Sequence, residues 1–228
     1  MEELIMDYQY LDAELKKWYK QYVEIACKGD LQYFIFEKKE KATQSEIISV
    51  EAHLQNKLPA SMKEFFLTYS KYLHLRTNLS QEVCDSLPFE LRQIFSAELL
   101  LSLEDLIEYN KDYAGWIASC FNDENNTYDK VWHNKLPFIH VPNGDYIALD
   151  LLDDSDEKRV VYLSHDDGEG HGYTLGKSFY EFLKSYVSIG CCGSEDWQML
   201  PFIRNQNSGI DPACENAKKY RQIIGMGE

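Results

Sequence analysis

Apolar and aromatic residues recur every three or four positions at the start of the chain, which is the period of an amphipathic helix. Gly29 follows the last of these residues and marks the expected end of the helix. The periodic positions are Tyr8, Leu11, Leu15, Tyr19, Tyr22, Val23 and Ala26. We expect a short strand over residues 31–36, and the charged run over residues 37–41 is typical of a solvated connection.

A capping motif begins the next helix, because Thr43 precedes Glu46 by the spacing at which the two residues can cap each other's backbone N–H groups. This helix is predicted through Leu54, and Pro59 interrupts the pattern. A second amphipathic helix follows. Its predicted apolar face consists of Met62, Phe65, Phe66, Tyr69 and Leu73.

The middle of the chain has a weaker pattern. Residues 74–95 show no clear period, and Leu87-Pro88 disfavours a continuous helix there. Residues 97–101 are compatible with a strand, after which Ser102 and Asp105 have the spacing of a helix cap. The apolar residues of that helix are Leu106, Ile107, Tyr109 and Tyr113. Residues 121–130 are polar and rich in turn formers, which predicts a loop.

Short apolar runs predict three strands near residues 138–141, 146–152 and 160–164. Asn143-Gly144 indicates a hairpin with a type I′ turn, since that turn needs positive φ at both central residues. Helices are expected over residues 178–187 and from Asp211-Pro212 to Gly225. Strands joined by antiparallel turns and flanked by helices indicate an α+β fold.

The charge of the chain is concentrated in its middle third. The 228 residues carry a formal net charge of −15. Residues 98–171 contain 17 acidic and 5 basic side chains and therefore account for −12 of it. Such a field repels nucleic acid and membrane phosphates and attracts basic partners. Simple solubility is an equally good explanation of the charge from composition alone.

Several features point to a cytoplasmic protein. No run of about 18 apolar residues is present, so we expect no membrane-spanning segment. The N-terminus is acidic and lacks the apolar core of a signal peptide. The six cysteines show no C-x-x-C spacing and are expected to be reduced thiols. The oligomeric state does not follow from the sequence.

The segment over residues 165–171 is the strongest candidate for chemistry, because it combines two histidines with three carboxylates. His165 and His171 could belong to a metal-dependent hydrolase. However, the glycines between them indicate an exposed turn, and no second histidine-rich helix supplies further ligands. The calcium-loop pattern is also not met. We therefore predict no metal and no cofactor.

No arrangement of residues suggests catalysis. A second acidic loop over residues 153–157 lies between two predicted strands, where adjacent aspartates are typical of a solvated turn. The sequence contains no G-x-S-x-G, P-loop, G-x-G-x-x-G or H-E-x-x-H motif. No nucleophile with a matched base is apparent, so the protein is not expected to be an enzyme.

The chain resembles the SUKH superfamily, which includes yeast cell-wall-synthesis regulators and bacterial immunity proteins. The helical part of the resemblance consists of Ile47, Val50, Glu51, Leu54, Leu58, Pro59, Lys63 and Phe65, followed much later by Phe179, Phe182 and Leu183. The strand part consists of Leu136-Pro137-Phe138, Gly144-Asp145, residues 146–150 and 160–163, and His165-Asp166. These short elements keep the family's order over residues 44–197, and residues 74–96 are interpreted as an insertion.

The resemblance implies an α+β fold with a curved, mostly antiparallel sheet packed against helices. It also implies a non-enzymatic protein that binds other proteins. Bacterial members are thought to neutralise toxins, many of them nucleases, and an acidic inhibitor can occupy the basic cleft of a nuclease. The alternatives are a regulator or scaffold of the same fold and, third, the metal-dependent hydrolase.

The resemblance divides the chain into an N-terminal helical extension (1–43), a SUKH-like core (44–190) and a C-terminal extension (191–228). The predicted partner is a protein, with a basic toxin domain as the candidate, and no role is expected for nucleic acid or a membrane. The acidic loops are its expected contact surface. Their candidate binding residues are Asp153, Asp154, Asp156, Glu157, Asp166, Asp167 and Glu169.

Overall fold

A computed structural model describes residues 7–26 and 34–227 of the chain. The helices are α1 (Tyr8–Ile25), α2 (Gln44–Leu54), α3 (Ala60–Glu64), α4 (Gln81–Ser86), α5 (Asp105–Ser119), α6 (Asp129–Trp132), α7 (Phe179–Ser188), α8 (Asp196–Met199) and α9 (Glu215–Ile224). The strands are β1 (Ile35–Lys38), β2 (Tyr72–Asn78), β3 (Ser96–Ser102), β4 (Lys135–His140), β5 (Tyr146–Asp150), β6 (Val160–Leu163) and β7 (Thr174–Gly176). Within these ranges, no helix is both long and apolar enough to cross a membrane.

The strands form two antiparallel sheets. The first has the order β1-β2-β3, and the second has the order β4-β5-β6-β7. β3 lies beside β4, so the two sheets adjoin each other. The predicted α+β class is confirmed, and the predicted antiparallel strands are divided between these two sheets. The two predicted acidic loops connect strands of the second sheet.

The largest difference from the sequence prediction lies after α3. A π-helical turn over Phe65–Tyr69 ends the helical segment, and Leu73 lies in β2 rather than on a helix. β2 is the central strand of the first sheet, and the interpretation of residues 74–96 as an insertion stays a prediction. Alternate residues of β2 are buried, which is the period of a half-buried strand, but the preceding helical pattern masked it.

The β4–β5 hairpin is present, but its turn is not type I′. Gly144 donates to Val141 O, so the central residues of this turn are Pro142 and Asn143. Proline fixes φ near −65°, so the turn cannot have positive φ at its first central position. Gly144 adopts the positive φ instead, at 103°. Asn143-Gly144 therefore identified the hairpin correctly and its turn type wrongly.

Smaller shifts affect the predicted ends of other elements. The first strand covers Ile35–Lys38, so two residues of the predicted solvated run, Glu37 and Lys38, belong to β1. Residues 31–33 of the predicted strand lie outside the described residues. α9 begins after Cys214, because Asp211 and Cys214 close a separate turn. Its predicted end at Gly225 is confirmed. β7 and α8 were not predicted, and Gly29 lies outside the described residues.

The helices at both ends of the chain pack in the main core. Trp18 of α1 stacks on Tyr220 of α9 with ring centroids 6.0 Å apart. The Tyr22 hydroxyl donates to Gly190 O at 2.8 Å. The predicted boundaries at residues 43 and 190 stay predictions. A second, smaller core lies between α5, α6 and the second sheet, and it includes Tyr113, Trp132, Tyr146, Val161 and Leu163.

Candidate functional site

The two predicted acidic loops lie at opposite ends of the second sheet. Residues 151–159 connect β5 to β6, and residues 164–173 connect β6 to β7. Because β5 and β6 are antiparallel, the chain enters β6 at one end of the sheet and leaves it at the other. Four residues of strand separate the loops by about 13 Å. A single flat contact with both loops would therefore have to cover the length of β6.

The β5–β6 loop uses two of its four candidate acids internally. The Glu157 carboxylate accepts hydrogen bonds from the Ser61 backbone N–H and hydroxyl, which fastens the loop to the first turn of α3. The Asp153 carboxylate accepts from the backbone N–H groups of Ser155 and Arg159, both at 2.9 Å. Asp154 and Asp156 are exposed and make no such bonds within the described residues. Half of this predicted set is therefore structural.

The opposite end is organised around Asp145, which follows the β4–β5 turn and is 1% exposed. Its Oδ1 accepts from the backbone N–H of His165 at 2.8 Å and lies 2.6 Å from Nδ1 of the same residue. Its Oδ2 accepts from the Tyr162 hydroxyl at 2.7 Å and from the Asn143 side-chain amide at 2.8 Å. One buried carboxylate thus holds the turn, the end of β6 and the start of the next loop together.

The two histidines of this loop do not converge. His171 Nδ1 accepts from the Ser164 backbone N–H at 3.0 Å, so its Nε2 carries the proton and donates to Tyr128 O at 3.1 Å. Its ring stacks on Tyr128, and burial lowers its pKa. Both nitrogens of His171 are occupied within the fold. His171 is therefore held as a neutral structural residue.

Asp145, His165 and Asp166 place possible ligand atoms within 4.8 Å of one another. A metal there would have to displace donors from Asp145, whose two oxygens already accept bonds from three residues. It would also lack His171. The geometry therefore disfavours the predicted alternative of a metal-dependent hydrolase centred on His165 and His171.

Further carboxylates surround this end of the sheet. Asp196 of α8 is buried and accepts from the Gly170 backbone N–H at 2.8 Å. A Cβ on Gly170 would lie 2.6 Å from the Cβ of Asp196, so this glycine allows the loop and α8 to meet. Glu195 precedes α8. Its pKa is raised by burial and then by the nearby charges of Asp145, Asp196 and Asp166.

These carboxylates have no lysine or arginine partner among the described residues. We call the following set the acidic end: Asp145, Asp166, Asp167, Glu169, Glu195 and Asp196. Among the described residues, no lysine or arginine forms a salt bridge with any of them, and His165 is the one basic neighbour, beside Asp145. Concentrated negative charge without local compensation gives this surface a strong field.

Aromatic rings flank the acidic end on two sides. The Trp116 ring lies 5.5 Å from the His165 ring. The Trp197 ring lies 5.9 Å from that of Phe95, which is 48% exposed, and the Trp197 side chain hydrogen-bonds Glu195. Partly exposed aromatic residues beside unpaired charge are typical of surfaces that bind proteins.

The fold and this surface define an α+β domain suited to protein interaction. A family model confirms this class: the SMI1 / KNR4 family (SUKH-1) matches residues 41–185. The chain belongs to this family, and the SUKH resemblance found in the sequence is confirmed. Domains of this kind are generally non-catalytic immunity or regulator proteins. A comparison with curated proteins gives no match.

The prediction from sequence missed part of the acidic end. Glu195 and Asp196 lie about 25 residues after the β6–β7 loop in the chain, and they join it only because α8 packs against Gly170. Asp145 was recognised as part of the family pattern but not as the residue that organises this surface. The signal that the sequence offered was an aspartate directly after the Asn143-Gly144 turn.

Proposed function

We propose that the protein is a non-enzymatic immunity protein that neutralises a toxin, and that the acidic end contacts a basic surface of that toxin. Membership of the SMI1 / KNR4 family supports a role in protein interaction or immunity. The observation that carries the site assignment is that no lysine or arginine in the described part of the chain pairs with these carboxylates, and that His165 pairs with the buried Asp145 only.

Glu195 provides the physical argument for this surface. Its raised pKa shows that burial and neighbouring carboxylates disfavour its ionised form in the folded protein. A cationic group of a partner would relieve that repulsion on binding. Such groups also increase the association rate, since opposite fields steer diffusing proteins together.

The acids of the β6–β7 loop are the best-placed contacts within the acidic end. Asp166, Asp167 and Glu169 are exposed, whereas Asp145 and Asp196 are buried and hold the loop in place. Phe95 and Trp197 extend the same surface with apolar area, which desolvates the edge of a charged contact. We therefore assign the partner contact to this loop and its aromatic neighbours.

A protection assay tests the proposal. A candidate toxin gene from the neighbourhood of this gene is expressed in a sensitive host, alone or together with the protein, and colony survival is counted. We expect survival to depend on the protein. The triple variant Asp166→Asn, Asp167→Asn, Glu169→Gln should protect less well, while the control Asp154→Asn, Asp156→Asn removes exposed charge at the other end and should protect normally.

The second candidate is a regulator or scaffold of the same fold, which family membership supports equally. The genomic neighbourhood separates the two, because an immunity gene lies beside a toxin gene. If the neighbouring genes encode no toxin and the protein protects against none, the regulator is favoured. Equal protection by the triple variant and its control would remove the acidic end from the interface.

A further inference from the structure

A cavity with basic walls lies at the opposite end of the second sheet, beside the β5–β6 loop. It has a volume of about 340 Å³. Its charged lining consists of Lys130, Lys135 and Arg159 with a single carboxylate, Asp150, and the side chains of Gln206 and Asn207 add amide groups. Three cations around one acid are unexpected in a chain whose net charge is −15.

The sheet register places the cations at this site. Lys135 opens β4 directly opposite Asp150 at the end of β5, and Arg159 precedes β6 on the other side. Lys135 Nζ lies 3.0 Å from Asp150 Oδ1, and the Arg159 guanidinium donates to Oδ2 at 2.7 and 2.9 Å. Asp150 also accepts from the Leu152 backbone N–H at 3.2 Å. The one carboxylate of the cavity is therefore fully used.

The cations keep unused donors. Lys135 Nζ donates two of its three N–H groups, one to Asp150 and one to His133 O at 2.7 Å. Arg159 Nη1 has no hydrogen-bond partner among residues 7–26 and 34–227. Lys130 is exposed at the rim and forms no salt bridge within the same ranges. Burial also lowers the pKa of Lys135 despite the adjacent Asp150.

A second cavity of similar volume shows that this excess of cations is not a general property of the surface. It lies between α2 and the start of α5, and its charged lining consists of Lys39, Lys71, Glu46 and Glu104. Two cations there meet two acids, and Lys71 bonds Glu46 at 2.9 Å. That cavity is neutral by its own residues, whereas the one beside the β5–β6 loop is not.

We propose that the cavity beside the β5–β6 loop binds a small oxyanion, a phosphate or a carboxylate, between Lys130, Lys135 and Arg159. The guanidinium of arginine and the ammonium of lysine are the side-chain groups that best bind phosphate and carboxylate. The volume is at the lower end for small-molecule sites, so it suits one oxyanion with a short attached group. The ligand is either free phosphate or a carboxylate carried by another molecule.

An NMR titration of the full-length protein tests the proposal. The probes are inorganic phosphate and, separately, N-acetylglycine as a carboxylate, with sodium chloride adjusted to keep the ionic strength constant. We expect saturable shifts of the backbone amides of Gly172 and Asn207, which line the cavity. Shifts with phosphate alone identify free phosphate as the ligand, and shifts with N-acetylglycine identify a carboxylate.

Two variants assign the binding to this cavity without disturbing the buried ion pair. Lys130→Gln removes the rim cation and should weaken binding about threefold to tenfold. Asn207→Asp places a negative charge beside the ligand and should weaken it further. The control Lys17→Gln removes an exposed lysine of α1 and should have no effect. Unsaturable shifts with both probes, or equal affinity in all three variants, would overturn the proposal.

Discussion

The two ends of the second sheet differ in whether their carboxylates are paired with cations. At the β5–β6 end, Asp150 is bonded to Lys135 and Arg159, and the nearby Asp153 and Glu157 are bonded within the fold. At the other end, the exposed carboxylates of the β6–β7 loop have no basic partner in the described residues. The same residue types thus make stabilising ion pairs and hydrogen bonds beside one loop and lack cationic partners in the other.

The difference follows from neighbours rather than from composition. Both loops are short, acidic connections of the same strand, and a count of charges does not separate them. Lys135 and Arg159 reach only the first loop because the register of β4, β5 and β6 puts them there. Carboxylates without cationic partners at one end and a carboxylate paired with two cations at the other predict opposite responses to mutation.

The largest expected effect is at the buried ion pair. Asp150→Asn would leave the ammonium of Lys135, whose side chain is 5% exposed, without its partner. Breaking such a pair costs about 3–5 kcal/mol, because an uncompensated charge stays buried. Urea denaturation measures the loss in the free energy of unfolding.

The matched control for this pair is Lys111→Gln. It removes the pair between Lys111 and Glu108, whose side chains are 76% and 65% exposed. We expect a change of at most about 0.5 kcal/mol. If Asp150→Asn were equally mild, Lys135 would be able to reach solvent, and the contrast between the two ends would weaken.

A smaller loss is expected at Asp145, which holds the acidic end together. Asp145→Ala would leave the buried Tyr162 hydroxyl and the His165 backbone N–H without their acceptor. Unsatisfied buried donors of this kind cost about 2–3 kcal/mol in total. Asp145→Asn keeps one acceptor oxygen and should lose less stability in the same denaturation experiment. Equal losses would show that the charge of Asp145 matters more than its hydrogen bonds.

Local signals in the sequence predicted much of the fold. The capping box of Thr43 and Glu46 is present as expected, and α7 lies within one residue of its predicted range. These predictions succeed because the interactions span only a few residues. β2 was missed because it is stabilised by long-range pairing with β1 and β3, which no local pattern shows. The π-helical turn before it also continued the helical pattern.

The candidate site was predictable only in part, for the same reason. The acids of both loops were found from their sequence, but no local pattern shows that Glu157 bonds Ser61, 96 residues away. In the same way, Asp196 joins the β6–β7 loop across 26 residues. The role of each carboxylate depends on long-range neighbours, which one sequence does not reveal.

The association rate with the proposed toxin partner should separate the two loops. The triple variant of Asp166, Asp167 and Glu169 should associate about tenfold more slowly at low salt, since these charges steer the encounter. The Asp154→Asn, Asp156→Asn control should associate at nearly the normal rate. Stopped-flow measurements at two salt concentrations test this, and the difference should shrink at high salt. An equal slowing in both variants would show that both acidic loops contribute to the encounter with the partner.

The smallest and most specific expected effect is that neutralising Glu195 and neutralising Asp153 change the free energy of unfolding in opposite directions. Burial and then the neighbouring carboxylates raise the pKa of Glu195 above its ordinary value of 4.5, so the folded state holds its proton more tightly than the unfolded state does. The contribution of Glu195 to the free energy of unfolding therefore falls as pH rises above 4.5. Glu195→Gln should be more stable than the natural protein at neutral pH, by up to about 0.5 kcal/mol.

Asp153 should behave in the opposite way. Partial burial acts to raise its pKa, but hydrogen bonds from the Ser155 and Arg159 backbone N–H groups outweigh this and lower it below 3.8. Its contribution is present above pH 3.8 and is lost as pH falls through the lower, folded-state pKa. Asp153→Asn should therefore be slightly less stable at neutral pH. For both variants, the difference from the natural protein should shrink in acid, and urea denaturation across the acid-to-neutral range would show it. Changes of the same sign would mean that the two carboxylates affect the free energy of unfolding in the same way. The unpaired carboxylates of the acidic end would then not lower the stability of the protein.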